Sequence, residues 1–148
     1  MSEKVKVILE QVDGYEFRVK FPDTPIPDLT TDEGAPLGQF KGPSPERMLA
    51  TAAGNCLAAS LLFANQKFKN QAYPVKAEVD VTVGRNESNR LRIQKLDVKL
   101  TVGNRKENLN HLDRILEQFE DFCTVTASIR QGIQVDVSVF DRDGTQLK

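Results

Sequence analysis

Two sulfur atoms carry most of the chemistry this sequence can offer. Cys56 falls within GPSPERMLATAAGNCLAAS, residues 42 to 60, and Cys123 opens the segment CTVTASIRQGIQVDVSV. An ionised thiol is a nucleophile and a metal ligand, and two thiols that meet can exchange into a disulfide. The opposing reading, a small hydrophobe packed in a core, is common for cysteine. Two features favour chemistry. Ala52, Ala53, Gly54, Ala58, Ala59 and Ser60 surround Cys56 with small side chains, which lets another backbone, a partner helix or a ligand approach closely. Cys123 ends a second apolar stripe that could meet the first.

The expected helix positions give the two thiols different roles. Cys123 is expected at a helix C-terminus, where the negative end of the dipole disfavours a thiolate. Cys56 lies too deep in its helix to feel the N-terminal dipole, so its activation calls for a nearby cation. If either is the nucleophile, Cys56 is the better choice and Cys123 is the partner that resolves it. Other site types are poorly supported. His111 sits in a polar stretch and reads as an exposed helix residue. A zinc site would need both cysteines, that histidine and a carboxylate without any C-x-x-C spacing. No glycine loop suits a phosphate, so neither metal nor cofactor is expected.

The whole chain must position these groups. Its 148 residues fit one domain, spanning 1–148, with 39% hydrophobic and 28% charged residues in the range of ordinary globular proteins. Lysine and arginine number 20 against 21 acidic residues, which gives no footprint for nucleic acid or an anionic membrane. The charged, alternating MSEKVKVILEQ is unlike a signal peptide, and no apolar stretch is expected to approach the ~18 residues of a membrane span. A cytoplasmic location follows as the expectation. There thiols are kept reduced, and cysteines are more often catalytic, redox-sensing or inert than structural staples.

Val5, Val7 and Leu9, then Tyr15, Phe17, Val19 and Phe21, alternate with other residues on either side of Asp13-Gly14. That pattern predicts an N-terminal hairpin. Between Pro22 and Pro43 lie five of the seven prolines, which predicts a loop with one short edge strand near Leu37 to Phe40. Ser44-Pro45-Glu46 then opens a helix by cap, first-turn proline and dipole. Leu49, Ala52, Ala53, Cys56, Ser60 and Phe63 are expected on its buried face, and it should fade between Lys67 and Asn70.

Val75 to Val83 alternate as a strand with one dry face. In the next strand, Leu91 and Ile93 are apolar at odd positions but Leu96, Val98, Leu100 and Val102 at even ones. A bulge near Gln94-Lys95 would keep both sets on the core side. A second helix is expected from an Asn104-x-x-Glu107 capping box to Cys123, burying Leu109, Leu112, Leu116 and Phe119. Ile133, Val135, Val137 and Val139 predict a final strand. The order defines an α+β fold.

Taken with this order, the two cysteine segments resemble the OsmC/Ohr family, whose members include osmotically inducible protein C and the organic hydroperoxide resistance proteins. In the first segment Glu46 precedes Cys56 by ten positions, as in the family's P-E-x-L…C pattern, with Met48 at the leucine position. In the second, Arg130 follows Cys123 by seven, before a turn into the last strand. The resemblance covers nearly the full length. It implies an intertwined homodimer and a thiol-dependent peroxidase: Cys56 as peroxidatic residue, Cys123 as resolving residue, Glu46 as the carboxylate that positions an activating arginine. It also implies a small-molecule hydroperoxide as substrate and a cellular dithiol as reductant.

Family peroxidases bring that arginine from the N-terminal region, and the loop from Pro22 to Pro43 contains none. Arg18 precedes it on the polar face of a strand, and Arg47 and Lys41 are further candidates. In an unbroken helix Glu46 and Cys56 stand ~15 Å apart along the axis. Glu46 must therefore act through a long intermediary or serve a site shared with a second subunit. An apolar pocket beside Cys56 would favour alkyl or fatty-acyl peroxides over hydrogen peroxide. The rival expectation is a non-enzymatic dimer of the same fold that binds a small apolar ligand, with the cysteines as sensor or remnant.

Overall fold

A computed structural model describes residues 2–132, 136–140 and 145–148. Strands β1 (Ile8–Asp13) and β2 (Glu16–Lys20) form the N-terminal hairpin, and Gly14 takes the positive φ of +55° that its turn requires. Strand β3 (Leu29–Thr31) adds antiparallel to β2, with Arg18 opposite Thr30. The edge strand expected near Leu37 to Phe40 does not form. The buried carboxylate of Asp32 accepts the N–H groups of Glu33 (2.8 Å), Gln39 (3.1 Å) and Lys41 (3.1 Å). Those donors are then lost to any ladder, and the segment wraps around one side chain.

Helix α1 (Pro45–Lys67) begins as its sequence dictates. Ser44 caps it by accepting from the N–H of Arg47, Pro45 occupies the first turn, and Glu46 lies at the positive end of the dipole. Its buried residues are Ala53, Gly54, Leu57, Leu61 and Asn65. This face is rotated from the expected one, leaving Ala52 exposed and Phe63 64% exposed. The helix is apolar nearly all round, so periodicity alone does not select its inner face. Packing selects it: the bare backbone at Gly54 meets Val79, so close that an added Cβ would lie 2.8 Å from its methyl carbon.

The mean hydropathy of α1, 1.4 over an 18-residue window, would also suit a membrane span, contrary to expectation. Here α1 forms one layer of the fold against β4 (Lys76–Arg85) and the segments that follow β5 (Leu91–Thr101). These two strands pair antiparallel, with Val79 opposite Val98. Lys95 pairs with Thr82 and Ile93 with Val83, so Gln94 is the bulged residue. The phase slip in the sequence has that cause.

Beyond β5 the single expected helix is divided. A 3₁₀ turn at Lys106–Asn108 precedes α2 (Leu112–Gln118), a second at Phe119–Phe122 follows it, and α3 (Thr124–Gln131) completes the series. Asn104 makes no capping box. Its Oδ1 accepts from the Arg105 N–H and from Asn108 Nδ2, and its amide donates to the Gln71 carbonyl. His111, exposed and at φ +56°, immediately precedes α2. A network anchors this region to the end of α1: Asn70 Nδ2 donates to Asn65 Oδ1 and to the Asn110 carbonyl, and the Asn110 N–H donates to Asn70 Oδ1. Ile115 is buried where Leu116 was expected, and Leu116 is exposed.

The core comprises Leu57, Leu61, Ile115, Phe119 and Cys123, with Cys56, Ala64, Phe68, Val98, Leu100 and Val102 packed against it. Of the expected last strand, Ile133 and Val135 lie outside the described residues. Val137 and Val139 are not in a strand, and the chain forms one isolated bridge between Phe140 and Gln146. The result is an α+β fold of antiparallel strands and three α-helices. Among the described residues, the β1–β3 sheet makes no substantial contact with α1 or with β4 and β5. The apolar side chains Ile8, Leu9 and Val12 of β1, and Val5 (84% exposed) and Val7 just before it, are left uncovered.

Candidate active site

The two thiols meet. Cys56, half-buried in the middle of α1, packs against the core cluster that holds Cys123, which is fully buried. Cys123 does not end a helix as expected. It is the cap residue at the start of α3, because the eight residues read as a link coil into a helix of their own. The dipole argument against a thiolate on Cys123 is thereby reversed: the sulfurs face the positive end of α3.

Backbone N–H groups make that field local. The Val125 amide is directed at both sulfurs, that of Thr124 at Cys56 and that of Thr126 at Cys123. Burial and the neighbouring Cys123 thiol push the Cys56 thiol up. Burial also opposes a Cys123 thiolate, but Cys56 and the donors of Thr126 and Val125 outweigh it and hold that thiol below its ordinary value. The surroundings favour the thiolate on Cys123 over that on Cys56. The two therefore ionise as a pair.

The other residues singled out from sequence lie apart from this pair in their contacts. Glu46 is half-buried in the first turn of α1. Arg18 is exposed on β2, opposite Glu10 and Thr30. Lys41 pairs with Glu16 at 3.3 Å. Arg47 reaches Ser44 Oγ at 3.4 Å and lies 6.0 Å from the Phe40 ring centroid.

Three residues without an assigned role in the sequence do surround the thiols. Thr126 is 7% exposed; its hydroxyl has no hydrogen bond of regular geometry, yet lies near enough to Cys123 to lower that thiol. Arg130 Nη2 donates to Glu120 Oε1 at 2.6 Å. This bond and the Glu120 charge raise the guanidinium pKa, and its charge also interacts with Cys123. The spacing was available: Glu120 three residues before Cys123, Thr126 three and Arg130 seven after it. Only a helix over 124–131 places the last two on one face with the cysteine, and no helix was expected there.

Beside the pair lies a cavity of about 360 Å3 between α1, β5 and α3. Leu49, Ala53 and Leu57 form the α1 wall, Ile93 and Leu96 part of the β5 wall, and Arg130 the polar rim. Neither cysteine lines it; the lining residues next to them are Leu57 on α1 and Thr126 on α3.

The fold agrees with the comparisons to known proteins. The model of the OsmC family, described as OsmC-like protein, matches residues 38–138, and the chain belongs to this family. No curated protein sequence matches it. Solved structures share the fold at low identity. An OsmC-like protein from Mycoplasma pneumoniae is 12% identical, with a TM-score of 0.70 over 90% of this chain and 91% of that one. The organic hydroperoxide resistance protein OhrB of Bacillus subtilis is 15% identical, with a TM-score of 0.63 over 90% and 96%. An organic hydroperoxide resistance protein from Legionella pneumophila is 17% identical, with a TM-score of 0.61 over 91% and 96%.

Proposed function

We propose that this protein is a thiol-dependent peroxidase that reduces organic hydroperoxides through Cys56 and Cys123. The observation that carries the reading is the packing of Cys56 against Cys123 at the N-terminus of α3. Cys56 is the more accessible sulfur, so it is the one a hydroperoxide reaches. Its thiolate attacks the distal peroxide oxygen; the O–O bond breaks, the alcohol leaves with a proton, and Cys56 becomes a sulfenic acid. The Cys123 thiolate then attacks the Cys56 sulfur, hydroxide leaves and is protonated to water, and a disulfide forms. A cellular dithiol restores both thiols by exchange. The fixed N–H groups of α3 stabilise the thiolate throughout, without reorganisation.

The same reading takes the chain as one domain in a homodimer of the cytoplasm. The uncovered apolar side chains of the β1–β3 sheet, which stands off its own α1, support a second subunit as their cover. Exchange of that sheet would also carry Arg18 toward the partner's α1, where Glu46 could orient it. The apolar walls of the cavity favour alkyl hydroperoxides over hydrogen peroxide. Turnover of cumene hydroperoxide with a dithiol reductant tests the reading. It predicts multiple turnovers and a much higher kcat/KM than for hydrogen peroxide; consumption no faster than by the dithiol alone would defeat it.

A further inference from the structure

We propose that Arg130, latched by Glu120, is the intrachain cation of the thiol pair, and that Glu120 is its positioning residue. The inference rests on the proposed thiol chemistry but assigns charges that the N-terminal region does not supply. Helical geometry sets the placement. Cys123, Thr126 and Arg130 follow at three- and four-residue steps along α3, so they share a face. Side chains on a helix lean toward its N-terminus. Glu120 lies in the turn before Cys123, so an Arg130 guanidinium 2.6 Å from its carboxylate has folded back along α3 to the level of the sulfur. The bond thus spans the cysteine from both sides in sequence.

The surroundings point the same way. Arg130 rims the cavity whose opposite wall, Ala53 and Leu57, flanks Cys56 on α1. Thr126 lies between Arg130 and Cys123 along the face, with a buried hydroxyl that lacks a regular partner and can donate to an oxygen or sulfur anion. The charged groups facing the pair are few. From the turn come Glu120 and Asp121, whose negative charges act on Arg130. From β5 comes Lys95, which lines the cavity but is held by Asp97 at 2.7 Å. The α1 wall contributes Leu49, Ala53 and Leu57, none of them charged. Arg130 offsets the acidic turn, and its interaction with Cys123 follows from that placement. Because Arg130 and Glu120 side chains are 61% and 45% exposed, salt must weaken the effect.

The test reads thiol ionisation directly and needs no hydroperoxide, so it stands apart from the peroxidase assay. Alkylation of the reduced protein by iodoacetamide is followed from pH 5 to 10 at low and high ionic strength. In Arg130→Met, which keeps an apolar stem, the midpoint of the pair's first ionisation, read as alkylation of the accessible Cys56, should rise by about one pH unit. Alkylation at neutral pH should slow by about tenfold, and the salt dependence of the midpoint should disappear. Arg130→Lys should restore most of both. A lost side-chain contact alone would not be rescued by lysine and would not remove the salt response. An Arg130→Met protein that titrates with the parent's midpoint and salt response overturns the proposal. So does an equal rise in Arg18→Met with none in Arg130→Met. Failure to turn over cumene hydroperoxide, with the Arg130→Met shift present, would defeat the peroxidase reading and leave this one standing.

Discussion

Cys56 in the middle of α1 packs against Cys123 at the head of α3, and each thiol shifts the acidity of the other. Neither thiol has an independent acidity under these conditions. Accessibility and acidity are divided between the two residues: Cys56 is the less buried, and the groups around Cys123 favour its thiolate. Proton transfer from Cys56 to Cys123 would move the thiolate to the less buried sulfur without any change in net charge.

The two cysteine variants should therefore differ in kind. Cys56→Ser should abolish hydroperoxide consumption, because the remaining thiol is fully buried. Cys123→Ser should consume about one equivalent, leaving a sulfenic acid on Cys56 that a dimedone-type probe traps. Mass spectrometry of the labelled peptide distinguishes the sites. Label on Cys123 in the Cys56→Ser protein would reverse the assignment.

The loop ahead of α1 should respond to acid through Asp32. This residue is buried at 4% exposure; burial opposes its charge, but the N–H groups of Lys41, Gln39 and Glu33 hold its carboxyl below 3.8. A depressed folded-state pKa contributes stability that is fully present above 3.8 and is lost as pH falls through the folded value. Asp32→Asn should mimic the acid form at neutral pH. The amides of Gln39 and Lys41 should exchange hydrogen faster in that variant, while those of α1 beyond its first turn keep their protection. Unchanged exchange at both amides would contradict the loop's dependence on this carboxylate.

Much of this architecture was legible because local chemistry and tertiary packing agree. Asp13-Gly14 turns the hairpin, Ser44-Pro45-Glu46 starts α1, and the shift of apolar parity between Ile93 and Leu96 marks the bulge at Gln94. Legibility failed where a tertiary partner decides. Asp32 captures the amides of a segment that alternates like a strand. The inner face of α1 is chosen by Val79 against Gly54, since the helix offers apolar residues in every direction. Helix α3 was hidden because Thr124, Val125, Thr126 and Ile129 are β-branched and favour extended structure locally. The pairing of Cys56 with Cys123 could be anticipated; the helix that supports both sulfurs, and with it Thr126, Glu120 and Arg130, could not.

The close approach of α1 to β4 has a measurable cost when filled. Gly54→Leu must push against Val79 and the rest of the sheet, and overpacking of this kind costs about 1–3 kcal/mol. Urea denaturation should show a lower midpoint with an unchanged slope. Val79→Ala in the same chain should recover part of the loss, because it empties the space the leucine requires. No recovery would mean that the helix meets the strand elsewhere.

The uncovered N-terminal sheet predicts association. Sedimentation of the parent should give a dimer, and Leu9→Glu, which places a charge among Val5, Val7 and Val12, should shift it toward monomer. A parent that sediments as a monomer at every concentration would remove the second subunit from the proposed site.

The central claim is that the two neighbouring thiols form one redox couple, and counting them tests it most directly. Reduced protein is mixed with one equivalent of cumene hydroperoxide, and free thiols are titrated under denaturing conditions before and after. The account predicts loss of both thiols per chain, an intrachain Cys56–Cys123 disulfide in the peptide map, and full recovery with a dithiol. Two thiols still free after the hydroperoxide has had time to react would contradict it.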